Sequence, residues 1–227
     1  MQFNSLSYIL FFAAFSLLYF LIEHRFRWVL LLTASYIFYA CWQVEYVLLL
    51  FAVTAVTYLC AILISRCSNS DSKKYLLVIC IGINLCFLVF FKYLNFIGTS
   101  MQSLLNYGGV IWNMPIFNII LPVGISFYMF RAISYIIDVY RGCVPAEHHF
   151  GRFAVYVSFF PSLLAGPIDR AQSFIPQVYK TYRFDAYRTI AGLQLIGWGL
   201  FQKVVIADRL ALYVDSIFNN IVPACQL

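Results

Sequence analysis

The chain has 227 residues, of which 63% are apolar and only 11% charged, with a formal net charge of +6. A mean hydropathy of +0.84 means more apolar surface than a soluble core of this length can bury, which excludes an ordinary globular domain and points to a polytopic integral membrane protein. The positive excess sits in short loops beside apolar runs, where it sets topology, so nucleic acid is not an expected partner.

In chain order, windows of about 20 apolar residues predict membrane helices near 6–22, 28–41, 46–64, 75–91 and 116–137, the second of them short. No basic residues precede the first run, and Glu23, His24, Arg25 and Arg27 follow it, so it reads as a retained helix rather than a cleaved signal. Trp28, Tyr39, Trp42 and Tyr46 lie near run ends, where amphipathic rings favour the headgroup boundary. Arg25 and Arg27, then Arg66, Lys73 and Lys74, then Arg141 and Arg152 fall in alternate loops. That alternation places those loops in the cytoplasm and the amino terminus outside, with Lys92 snorkelling from a helix end.

The next run, 153–168, is shorter than a crossing needs, and Arg170, Lys180, Arg183 and Arg188 follow it. Pro161, Gly166 and Pro167 break its helix, so it reads as a re-entrant segment that returns to the cytoplasmic face, against the alternative of a thin, kinked crossing. One further helix covers 187–210, with Gly192 and Gly199 two turns apart on one face, which favours close helix packing. The expected fold is an all-α transmembrane bundle with short and re-entrant helices, a single membrane domain over 1–227.

Seven cysteines without a CxxC pair form neither a disulfide framework nor a metal knuckle, and Cys60, Cys80 and Cys86 read as small core residues. His148 and His149 sit in a polar loop with no orienting partner and too few ligands for a metal, so no metal site is expected.

The chemistry-bearing features are places where polar groups interrupt apolar helix. Pro122 and Gly124 break the chain ahead of the fifth span, and in lipid such breaks persist only where protein or a water-filled cavity covers them. Arg131 lies inside that span, where an unpaired cation costs about 2.5 to 3.5 kcal/mol, so it faces a cavity or partner unless it snorkels through a tilted helix. Asp138 is two turns further along the same face, about 10 Å away, so the two residues could line one wall without pairing directly. Asp138, Tyr140, Arg141 and Gly142 together read as a helix exit. Arg141 and Arg170 are also candidates for attracting the phosphates of a cytoplasmic ligand, while Asp169 and Arg170 alone could simply solvate a loop.

The runs LPVGISFY (121–128), YIIDVYRG (135–142), VSFFPSLLAGPIDR (157–170), FIPQ (174–177) and ADRL (207–210) resemble the bacterial membrane-bound O-acyltransferase family, closest to its alginate-acetylating branch. The resemblance extends in helix order from about 1 to 220 and covers the amino-terminal half of such a protein. It implies transfer of an acetyl group from a cytoplasmic donor, acetyl-coenzyme A, towards alginate, another exopolysaccharide or peptidoglycan outside the bacterial inner membrane. No bound cofactor is implied, and a periplasmic or extracellular acetyltransferase is the implied partner. In the family the region of Gly166 to Arg170 helps to wall the reaction chamber, and the catalytic histidine lies on a later helix that no residue here matches. The expectation is therefore a segment without independent activity. Two other classes stay open: a scaffold that docks a partner acetyltransferase, and a transporter or channel subunit, for which broken helices would also suit.

Overall fold

The computed structural model describes residues 3, 5–108, 121–164 and 166–221, and every regular element among them is helical. In chain order these are α1 (Leu6–Leu21), α2 (Arg27–Ala40), α3 (Glu45–Arg66), α4 (Ser70–Tyr107), α5 (Ile125–Tyr140), α6 (Phe150–Ser158), α7 (Phe160–Leu163), α8 (Ala171–Tyr179), α9 (Ala186–Phe201) and α10 (Asp208–Ile221). A 3-10 turn, His24–Phe26, precedes α2, and a π-helical stretch, Gln202–Ala207, joins α9 to α10. Three stretches, Glu45–Arg66, Ser70–Tyr107 and Ala186–Phe218, are long and apolar enough to cross a membrane, and Leu6–Leu21 is a shorter apolar helix. The protein is a multi-pass membrane protein. The chain divides into two compact units, Glu23–Lys180 on the one hand and Met1–Ile22 with Thr181–Leu227 on the other.

Within Glu23–Lys180, α3 buries Tyr46, Leu49, Leu50, Val53, Thr57, Cys60, Ala61 and Ile64 at helical spacing while Leu48, Leu59 and Leu63 stay exposed. Such an all-round apolar helix suits lipid on one side and protein on the other. Thr57 donates to Asn84 Oδ1 at 3.3 Å and Asn84 Nδ2 donates to Cys80 O at 2.9 Å, which ties α3 to α4 with satisfied polar groups.

Several expectations change here. The fourth helix does not end at residue 91: with its Asn69 cap, α4 runs for 38 residues, about 57 Å, and Lys92 lies within it, donating to Ser126 Oγ at 3.4 Å. Tyr39 and Tyr46 are core residues rather than boundary anchors, because Tyr39 packs edge-on against Tyr128 of α5 and Tyr46 against Phe91 of α4. Cys60 and Cys80 are buried as expected, but Cys86 is exposed, on the outward side of α4.

The fifth span begins as a helix only at Ile125; residues 116–120 lie outside the described residues. Gly124 adopts φ +77, and a Cβ there would stand 2.5 Å from Leu163 O, so a glycine is required both by conformation and by close approach. At the other end Gly142, φ +72, closes α5 with Cys143 N–H donating to Asp138 O at 2.9 Å and Gly142 N–H to Val139 O at 3.1 Å, the helix exit that the sequence suggests.

The run 153–168 is broken at Phe159, so that α6 and α7 are separate short helices with Pro161 in the first turn of α7. α6 runs antiparallel to α5: the Phe153 ring lies 4.7 Å from that of Tyr135, Tyr156 reaches Arg131, and Leu163 meets Gly124. Residues 166–170 then run back without helix until Arg170 stands beside Asp138. The path descends the length of α5, about 24 Å, and returns to the end from which it started. That end is further tied by Tyr179 OH, which donates to Glu147 Oε1 at 2.8 Å, and by Arg152, 3.9 Å above the Tyr179 ring.

In the other unit the predicted helix 187–210 extends from Ala186 through the π-helical stretch to Ile221. Asp185 caps it, accepting from Tyr187 N–H at 2.9 Å and Arg188 N–H at 3.3 Å. Gly192 and Gly199 have nothing within 4 Å of a Cβ position, so among the described residues no helix packs on them. Lys203 and Asp208 pair across the π-helical stretch, whose wider turn brings positions five apart onto one face.

Candidate functional site

The buried face of α5 repeats Ile125, Tyr128, Met129, Ala132, Tyr135, Ile136 and Val139, and this amphipathic stripe carries Arg131 and Asp138 inward with it. Arg131 is 2% exposed. Its Nη1 donates to Tyr156 O at 3.1 Å, its Nη2 to Ser162 Oγ at 2.7 Å and Ser162 O at 3.4 Å, and Nη2 lies 3.5 Å from Asp169 Oδ2. Only Nε is left without a partner. The guanidinium thus serves the broken segment α6–α7 and its return path together, which its planar fork allows and an ammonium does not. Tyr156 adds a second tie, its hydroxyl donating to Asp169 O at 3.1 Å.

Asp138 is 7% exposed at its side chain and pairs at 3.7 Å with Arg170 Nη1, which is 71% exposed. The adjacent residues Asp169 and Arg170 therefore clasp α5 in alternation, acid to Arg131 and base to Asp138. Arg131 thus has protein partners and does not pair directly with Asp138, and the Asp169-Arg170 pair does more than solvate a loop. The clasp forms because α5 offers the two adjacent residues partners of opposite sign two turns apart.

The predicted breaks converge on one short helix. Gly124 abuts Leu163, and a Cβ on Gly166 would stand 2.5 Å from Ser162 Cβ, so both glycines admit α7 closely. Pro122 is buried and Pro167 exposed at the turn. Ala165 lies outside the described residues. Outside the clasp, Ile168, Asp169, Arg170, Gln172 and Ser173 line an open depression of about 400 Å³ at the start of α8. Arg141 is exposed beyond the end of α5 and joins neither ion pair. His149 caps α6, its Nδ1 accepting from Arg152 N–H at 3.3 Å, and packs against Trp28, a structural use of the histidine. Among the described residues no cluster of three or more His, Cys, Asp or Glu is arranged to hold a metal ion.

Sequence reasoning missed Ser35, Tyr156 and Ser162. Ser162 lay in a run rich in helix breakers and could have been found from the need to satisfy exposed backbone there. Ser35 lies in an unbroken apolar helix and carried no signal.

Comparison with known proteins gives several curated relatives. The chain is 39% identical over 203 residues to the probable alginate O-acetylase AlgI of Azotobacter vinelandii, covering 88% of this chain and 40% of the relative. It is 39% identical over 211 residues to the protein of the same name from Pseudomonas aeruginosa, covering 92% of this chain and 40% of the relative. It is 32% identical over 218 residues to the peptidoglycan O-acetyltransferase of Helicobacter pylori, covering 84% and 40%. The chain spans about two fifths of the length of the curated relatives it matches. No family profile matches it, and no solved structure is similar to it.

Proposed function

This chain belongs to the membrane-bound O-acyltransferase family, and from that premise we propose that the intact protein transfers acetyl groups from a cytoplasmic donor towards a polysaccharide outside the bacterial inner membrane. The carrying observation is that relatives named for two different acceptors, alginate and peptidoglycan, each cover more than four fifths of this chain. What those relatives share is the acetyl transfer, so the acceptor is left as an anionic exopolysaccharide of the alginate kind or peptidoglycan.

In this reading the amino terminus faces outward and the loops carrying Arg66, Lys73, Lys74, Arg141 and Arg170 face the cytoplasm. Acetyl-coenzyme A is the donor. Arg170, exposed beside the open depression, and Arg141 attract its phosphates, for which guanidinium groups are suited by charge and geometry. A histidine contributed by the intact protein acts as general base for an acceptor hydroxyl or as a transient acyl carrier. A soluble acetyltransferase on the outer face receives the group, and the chain's own helices form one part of a single membrane domain.

The test is the acetate released by mild base from purified surface polysaccharide. Deleting the gene should abolish it and complementation with the intact gene should restore it; unchanged acetate in the deletion would overturn the function. In the purified intact protein, Arg170→Gln should raise KM for acetyl-coenzyme A by about five-fold, the effect of one solvent-exposed charge contact.

A further inference from the structure

An unbroken helix through Phe159 would pair Phe160 N–H with Tyr156 C=O, the ordinary bond between positions four apart. The break separates these two groups, and each is satisfied by a side chain from a different helix. Phe160 N–H donates to Ser35 Oγ of α2 at 3.2 Å, and Tyr156 O accepts from Arg131 Nη1 of α5 at 3.1 Å. Ser35 is itself fixed, its hydroxyl donating to Leu31 O at 2.8 Å. Both Ser35 and Arg131 are buried, so neither group of the divided pair has water as a substitute.

Pro161 ensures that the helix ends but does not say in which direction the chain continues, since it removes a donor and a carbonyl's space without supplying a new partner. The direction comes from the two replacement bonds. They hold α7 against Gly124 and, through Arg131 and Ser162, set the start of the return path that ends at Asp169 and Arg170. We propose that Ser35 and Arg131 act as a lock on the α6–α7 break and are positioning residues for the turn at 166–170. The role rests on the acyl-transfer reading above, because that turn carries the donor-facing Arg170. Ser35 bonds to the first residue of α7 and acts through that helix.

The experiment uses the intact protein in lipid nanodiscs with spin labels on Cys143 and on Gln172→Cys, both exposed positions flanking the clasp, in a background without the other cysteines. The parent should give one narrow distance distribution. Ser35→Ala, a change of one oxygen atom that leaves the packing of α2 in place, should broaden and displace it, and Ser35→Thr, which retains the hydroxyl, should restore it. In turnover, Ser35→Ala should raise KM for acetyl-coenzyme A about five-fold, as loss of the Arg170 contact does, with kcat unchanged. Superimposable distributions for parent and Ser35→Ala overturn the lock, and an unchanged KM for acetyl-coenzyme A overturns the positioning role. The distances need no turnover, so a parent protein that transfers no acetyl group would overturn the functional reading while the distributions still decide the lock.

Discussion

Arg131 shows how one residue can be expensive to place and yet indispensable to a fold. Removing a guanidinium that serves Tyr156 O, Ser162 and Asp169 leaves several buried acceptors without donors, so Arg131→Met should destabilise the intact protein by about 2 to 4 kcal/mol. Asp169→Asn should cost under about 1 kcal/mol, because its side chain is 34% exposed and water takes over much of the pairing. Thermal unfolding in detergent checks the order, and equal losses would mean that the charge pair, not the backbone contacts, carries the effect. The two glycines of α5 make a second comparison. Gly124 and Gly142 both have positive φ, but only Gly124 has backbone in the place of a Cβ. Alanine at 124 should therefore cost about 2 to 3 kcal/mol and at 142 about 1 kcal/mol, the second figure being conformational strain alone. Arg131 announced itself in the sequence as a charge in an apolar run; its partner Asp169 looked like half of a solvated loop pair.

At the scale of elements, the α6–α7 segment is where a short apolar run folds back along α5. α6 is too short to cross lipid, and Gly151, Phe153, Ala154, Val155, Tyr156, Val157 and Ser158 are all buried, so it is surrounded by protein rather than by acyl chains. Glu147 and Tyr179, at either end of the excursion, touch each other. Cysteines placed at positions 149 and 180 should accordingly react with an impermeant maleimide from one and the same side of the membrane, and reaction from opposite sides would establish a full crossing. The limits of this element were legible because Pro161 and Gly166 are local signals that act on their own backbone. The break falls at Phe159, ahead of the proline, because in a continuous helix the Pro161 ring would meet the carbonyl of Val157 four positions back. The length of α4 was not legible by hydropathy, since the polar residues after Phe91 support helix as well as apolar ones do outside the hydrocarbon layer.

For the whole molecule, the orientation proposed from loop charges makes a single prediction. A cysteine at position 69, in the turn between α3 and α4 beside Arg66, Lys73 and Lys74, should be labelled only from the cytoplasmic side, and labelling from outside would invert the scheme. Membrane residence, helical class, the chain breaks and the family motifs were all determined by sequence alone, because hydropathy, proline and glycine act over a few neighbouring residues and need no partner to be read. Which groups meet was decided only by the tertiary structure. Asp138 lies seven positions from Arg131 on the same face, yet Arg131 pairs with Asp169, and the lock joins Phe160 to Ser35 across 125 positions of chain. Such pairings follow from α6 descending beside α5 and under α2, and that packing is settled by the close fit of whole faces, a property that no single residue or local run carries.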